Sequence, residues 1–168
     1  MADQENWGES VTILLVVEAG DWPDEDKLET LIRRSCRACA EELEIELMPD
    51  AEISAVFVND DRMKTLNNDW RNQDKPTNVL SFPSSDRKGS SWGPMLGDIV
   101  FAFETISRES REIGIPLENH LCHLIVHGIL HLFGYDHISD EDAVEMETAE
   151  THILEHMSIP DPYGAASV

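Results

Sequence analysis

A chain of 168 residues with 41% hydrophobic and 27% charged side chains can bury a core without disulfides or a structural metal, and its composition excludes wholesale disorder. Its 12 basic and 34 acidic residues give a net charge of -22, which opposes nonspecific attraction to nucleic acid. All 12 bases fall between Lys27 and Arg111, among 15 acids, so a face that binds an anion has to come from the middle of the chain.

Residues 1 to 10 are polar and expected to be flexible. The start, Met-Ala-Asp-Gln-Glu-Asn, has no basic n-region, and the apolar run from Val11 to Val17 is too short to span a bilayer. A cytoplasmic location with no membrane association is therefore expected. The same run is rich in β-branched residues and predicts a strand. After Pro23 the spacing of Leu28, Leu31, Ile32, Cys36, Cys39, Ala40 and Leu43 predicts a helix with Arg33, Arg34 and Arg37 on or near its other face. Cys36 and Cys39 lie on the apolar face of that helix, and with Cys122 they read as buried reduced thiols rather than a redox pair.

Ile53 to Val58 predicts a second strand. Asn59-Asp-Asp61 then supplies an N-cap for a short helix whose apolar stripe is Met63, Leu66 and Trp70. Thr77 to Phe82 predicts a third strand. Ser84 to Pro94, rich in Ser, Gly, Asp, Lys and Pro, predicts a mobile surface loop. Gly97 to Ala102 predicts a fourth strand, followed by a helix over Glu104–Glu112 with Ile106 and Ile113 on its apolar side.

Pro116 can open the next helix, which carries Leu117, Leu121, Leu124, Ile125 and Leu132. Ser139, with Asp142 three residues on, resembles a capping box for a last helix with Met146, Ala149, Ile153, Leu154 and Met157 on its apolar face. The tail from residue 160 is expected to be flexible. The whole predicts a single α+β domain over residues 1–168, a mixed sheet of about four strands packed with four to five helices. Strand order is not legible at this stage.

His127 to His137 reads His-Gly-Ile-Leu-His-Leu-Phe-Gly-Tyr-Asp-His. On a helix, His127 and His131 sit roughly 40° apart in azimuth and about 6 Å apart along the axis, able to grip one ion. Gly134 suits a left-handed helix end, and a reversal there brings His137 back towards the pair. Three neutral imidazoles with one open position describe a catalytic rather than a structural zinc site. Ordinary polar side chains on a helix and loop are the bland alternative, and three histidines at this spacing around a turn glycine argue against it.

The ligand spacing is that of the metzincin proteases, and a zinc metalloprotease is one reading. Gly128, however, stands where those enzymes carry the glutamate that acts as general base. The chain instead resembles the YbeY family of bacterial metal-dependent endoribonucleases, which act in ribosomal RNA maturation. The resemblance rests on residues 127 to 137 and on Leu-Asn-x-x-Trp-Arg-x-x-Asp-Lys-Pro-Thr-Asn-Val-Leu-Ser-Phe-Pro at 66 to 83. Leu-Gly-Asp-Ile at 96 to 99 and Met-Glu-x-x-Glu-x-x-Ile-Leu at 146 to 154 extend it.

The resemblance implies one zinc ion (Zn2+) per chain held by His127, His131 and His137, and a functional arginine at Arg71. It implies single-strand-specific cleavage of RNA, with ribosomal RNA precursors as substrate, in 16S 3′-end maturation and ribosome quality control. The ribosome or its small-subunit proteins are the implied partners. A guanidinium at Arg71 suits two phosphate oxygens, whereas a salt bridge to Asp69 or Asp74 is its structural alternative. Lys75 could add a phosphate contact or only flank a turn. Asp98 could orient a ligand histidine, accept a proton or cap a turn. His123, about 12 Å along the helix from His131, reads as packing or as support for a ligand. His120, His152 and His156 share no constellation with the motif. A third reading is a non-catalytic ribosome-assembly factor recruited through protein contacts.

Overall fold

The computed structural model describes residues 10–84, 87–88 and 91–163. Its elements begin with β1 (Thr12–Val17), α1 (Glu25–Glu42), β2 (Glu46–Leu47), β3 (Glu52–Val58), α2 (Asp60–Arg71) and β4 (Val79–Pro83). They continue with β5 (Arg87–Lys88), β6 (Ser91–Trp92), β7 (Met95–Ala102), α3 (Phe103–Ile113), α4 (Leu117–Leu132) and α5 (Asp140–His156). The α+β expectation holds. Asp24, Asn59 and Ser139 each cap a helix by accepting the backbone N–H three residues on, at 2.9, 2.9 and 3.1 Å, which satisfies a donor that the helix itself leaves free.

The main sheet has the order β1-β3-β7-β4. β1, β3 and β7 run parallel, and β4 lies antiparallel along the outer side of β7. Alternation along the strands sends successive side chains to opposite faces. Ile53, Ala55, Phe57, Ile99 and Phe101 join the larger core with residues of α1, α4 and α5. Val58, Leu80, Val100 and Ala102 form a smaller core with Met63 of α2. Two ties in α1 use its arginines structurally: Arg33 Nη1 donates to the Val11 carbonyl at 3.1 Å and Arg34 Nη2 to that of Met157 at 3.5 Å.

Several expectations need correction. The stretch expected to be a mobile loop contains β5 and β6, which form a second sheet with β2 in the order β2-β6-β5. Trp92 packs its ring 5.4 Å from that of Phe133; residues 85–86 and 89–90 lie outside the described residues. On α2, Met63 is buried but Trp70 is 69% exposed, meeting the ring of Phe82 edge-on at 5.7 Å. On α3, Ile106 is buried and Ile113 is exposed. Beyond α5 the chain turns at Ser158 (φ 59°), and Tyr163 donates its hydroxyl to Glu150 on that helix. Residues 1–9 and 164–168 lie outside the described residues.

Cys36, Cys39 and Cys122 are buried free thiols, as expected. Burial pushes Cys36 up to about 12, Cys122 up to about 11 and Cys39 well above the usual thiol range. No helix among the described residues is long and apolar enough to cross a membrane.

Candidate metal centre

α4 is apolar over most of its circumference because it lies between the sheet, α1, α3 and α5. One position brings it close to the sheet. A Cβ added at Gly128 would lie 2.8 Å from Ile99 Cγ2 and 3.2 Å from Ser81 Oγ, and that hydroxyl donates to the Gly128 carbonyl at 3.3 Å. The position that holds glutamate in the protease motif is thus packed on β4 and β7. It has no room for a side chain.

The helix ends as its sequence predicts. Gly134 takes φ 89°, its N–H donates to the His131 carbonyl at 3.1 Å, and the Tyr135 N–H donates to that of Leu130 at 3.1 Å. This pair of bonds is a Schellman closure. It reverses the chain and returns His137 to the helix.

The three histidines converge. One ring nitrogen from each of His127, His131 and His137 lies within 4.8 Å of the others. His127 Nε2 and His131 Nε2 are 3.0 Å apart, and the His137 ring centroid lies 5.9 and 5.3 Å from those of His127 and His131. His127 and His131 are half-buried and His137 is exposed, so the cluster opens to solvent on one side. Burial first, then the neighbouring imidazoles of His127 and His137, push His131 down to about 4. It is neutral near pH 7, the form that donates a lone pair. Two nitrogens bound to one tetrahedral zinc at about 2.0–2.1 Å stand roughly 3.3 Å apart, close to the spacing found. The donor set therefore fits a single borderline-soft ion with an open coordination position.

Glu150, quoted in the 146–154 motif but given no role there, completes the cluster. Glu150 of α5 is fully buried, with Oε1 2.5 Å from His127 Nδ1 and Oε2 2.9 Å from His123 Nε2. Tyr163 donates its hydroxyl to the same Oε2. Burial alone would raise the Glu150 carboxyl; the bonds from His123 and His127, the His127 charge and the Tyr163 hydroxyl outweigh it and hold the group at about 2. The signal was present: Glu150 falls between Ala149 and Ile153 on the apolar stripe of its helix, where a charge needs a reason. His123 contributes through Glu150 and is not itself in the cluster.

The other named residues lie elsewhere. Arg71 ends α2, exposed, with no ion pair to Asp69 or Asp74 among the described residues. Asp74 lies 3.9 Å from Lys64 instead. The helix that carries Arg71 packs on the opposite face of the sheet from α4. Its preceding residue, Trp70, touches Phe82 of edge strand β4, the strand whose Ser81 meets Gly128. α2, through Trp70, and α4, through Gly128, thus approach one edge strand from its two faces. Lys75 is exposed at the turn, where its carbonyl accepts from Asn67 Nδ2 at 2.8 Å. Asp98, exposed, alternates with Gly97 and Ile99 and so faces away from α4; it does not support a histidine. His120 pairs with Glu109 at 3.0 Å. His152 and His156 lie near Glu41 and Glu42 on the surface.

Comparison with known proteins decides the family. The model of the family described as Endoribonuclease YbeY matches residues 17–158. The chain belongs to the YbeY endoribonuclease family. Curated YbeY endoribonucleases of Sinorhizobium fredii and Rhizobium meliloti are each 50% identical to it over 161 residues. The match covers 92% of this chain, with 93% and 96% of theirs. A Thermotoga maritima protein solved in solution is similar in fold, with a TM-score of 0.55 and 26% identity over 88% of this chain and 92% of its own. The YbeY match takes in Arg71, the three histidines and Glu150. It stops short of Tyr163.

Proposed function

We propose that this chain is a single-domain, cytoplasmic, zinc-dependent endoribonuclease in which His127, His131 and His137 hold one Zn2+ and Arg71 is the catalytic cation. The carrying observation is the convergence of three imidazole nitrogens, with one side left open, in a chain of the YbeY family. Zinc bound there would supply a Lewis acid that polarises a phosphoryl oxygen and acidifies water.

The chain's own residues would do the rest. His127, held through Nδ1 by Glu150, keeps Nε2 for the ion. The exposed guanidinium of Arg71 can hold two phosphate oxygens and stabilise charge that grows on them during attack. Trp70 beside it, exposed above Phe82, offers a ring on which an unstacked base can lie, which favours single-stranded over duplex RNA. The family implies ribosomal RNA precursors as substrate, at the 16S 3′ end and in ribosome quality control. With a net charge of -22, recruitment through basic ribosomal proteins suits this chain better than long-range attraction to RNA.

A zinc protease is disfavoured by the packing of Gly128, which leaves no place for the glutamate base. The test is cleavage of one RNA sequence presented single-stranded and as a duplex, by zinc-loaded and chelator-stripped protein. Cleavage of the single strand by the loaded protein alone is expected. Equal cleavage by the stripped protein, or digestion of casein in place of RNA, would overturn the reading.

A further inference from the structure

Glu150 has no exposed surface, and an ionised carboxylate in such a place is tolerated only when hydrogen bonds replace its lost water. Its three donors come from two parts of the chain. His127 Nδ1 meets Oε1 at 2.5 Å, His123 Nε2 meets Oε2 at 2.9 Å, and the Tyr163 hydroxyl also meets Oε2. Two donors stand on α4, one in the segment that follows α5. The carboxylate is thus shared between the metal cluster and the C-terminal segment.

We propose that Glu150 and Tyr163 are positioning residues for the metal centre, and that docking of residues 159–163 on α5 sets how tightly the three histidines hold their ion. The proposal rests on the reading of those histidines as ligands. An imidazole has two nitrogens, and the one that keeps its proton is chosen by its partner. A proton on His127 Nδ1, donated to Glu150, leaves a lone pair on Nε2, the atom that faces His131 Nε2 at 3.0 Å. Glu150 therefore fixes both the tautomer and the ring orientation of His127.

A bond to His127 alone leaves a glutamate side chain free to rotate about its other torsions. Donors on Oε2 restrain it, and Tyr163 is one of the two. Tyr163 is itself held. Its backbone N–H donates to Asp161 Oδ1 at 2.8 Å, Thr151 Oγ1 on α5 donates to the same oxygen at 3.4 Å, and its ring lies edge-on to His123 at 5.7 Å. The turn into this segment is closed by Ile159 N–H on the Leu154 carbonyl at 2.9 Å. Residues 159–163, outside the family match, bring the Tyr163 hydroxyl onto the carboxylate that orients a ligand.

The experiment measures the zinc affinity of wild type, Tyr163→Phe, Glu150→Gln and His131→Ala by competition with a chromogenic chelator, with the visible spectrum of the Co2+-loaded proteins as a second readout. Tyr163→Phe removes one hydroxyl and keeps the ring on His123. Glu150→Gln keeps the shape but turns one acceptor oxygen into a donor, which opposes one of its three partners. Glu150→Gln is expected to weaken zinc binding about 10- to 100-fold, and Tyr163→Phe by a smaller factor, several-fold, both with altered Co2+ bands.

Zinc affinities of both variants within twofold of wild type, with unchanged Co2+ spectra, would overturn the proposal while leaving the ligand reading intact if His131→Ala still loses the ion. A wild-type chain that binds no zinc would overturn both. If Glu150→Gln does not fold, Tyr163→Phe decides alone.

Discussion

His127 Nε2 and His131 Nε2 face each other across 3.0 Å on one side of α4, with His127 anchored from behind by Glu150. Two imidazole nitrogens at that separation, with a third ring returned by the Gly134 turn, make a three-nitrogen claw. Removing His131 would leave two imidazoles of the cluster, too few to retain a catalytic zinc. Equilibrium dialysis of His131→Ala against micromolar zinc should leave well under one ion per chain, against one for wild type. Full retention in the variant would refute the ligand assignment.

Gly128 separates this chain from the proteases whose ligand spacing it shares. Gly128→Ala gains helix propensity, worth about 1 kcal/mol, but pushes a methyl against the β-branched Ile99, and overpacking of this kind costs about 1–3 kcal/mol. A net loss of up to about 2 kcal/mol in urea unfolding is expected. A variant more stable than wild type by about 1 kcal/mol, the propensity gain alone, would show that α4 can move away from the sheet at no cost.

Arg71 is exposed and has no ion pair among the described residues, so its removal should leave the fold alone; surface substitutions of this sort stay within about 0.5 kcal/mol. The expected loss is in rate. Arg71→Ala should lower kcat on RNA on the order of 10²-fold, and Arg71→Lys should recover only part of it, because a point charge does not reproduce a planar two-oxygen grip. An unchanged kcat would remove Arg71 from the site.

For Trp70 the readout is binding. Trp70→Ala should weaken the affinity of zinc-loaded protein for a single-stranded oligoribonucleotide by about 1–3 kcal/mol, with Trp70→Phe close to wild type. Equal affinities across the three proteins would exclude stacking.

The thiols give a check on the fold. A group pushed above its ordinary range is protonated, and so unreactive, until the pH nears its shifted value; Cys36 at about 12 and Cys122 at about 11 stay thiols at pH 8. Iodoacetamide at pH 8 should modify none of the three cysteines until denaturant is added. Rapid labelling of the native protein would contradict their burial.

The histidine cluster was legible because both of its devices are local. A four-residue helical interval and a glycine that permits positive φ act within eleven residues, and no distant contact is needed to predict their result. Glu150 was quoted in the 146–154 motif but given no role, although it interrupts the stripe of Met146, Ala149 and Ile153. In a chain with 34 acids a glutamate on a helix reads as solvated surface. Only tertiary packing shows which carboxylate has its back to His127. Trp70 failed in the other direction. Periodicity gives its azimuth, shared with Met63 and Leu66, but not the extent of the surface beneath, and the last turn of α2 leaves it in solvent beside Phe82. Strand order likewise depends on pairings such as Val79 with Phe101, which no local pattern encodes. The small sheet β2-β6-β5 has strands of two residues, too short for alternation to register.

The account stands most directly on one titration: zinc added in steps to metal-free protein while cleavage of a single-stranded ribosomal RNA fragment is followed. Activity should rise linearly and break at one zinc per chain, and His131→Ala should stay inactive throughout. Activity present before zinc is added, or equal activity in His131→Ala, would contradict a metal-dependent ribonuclease built on His127, His131 and His137.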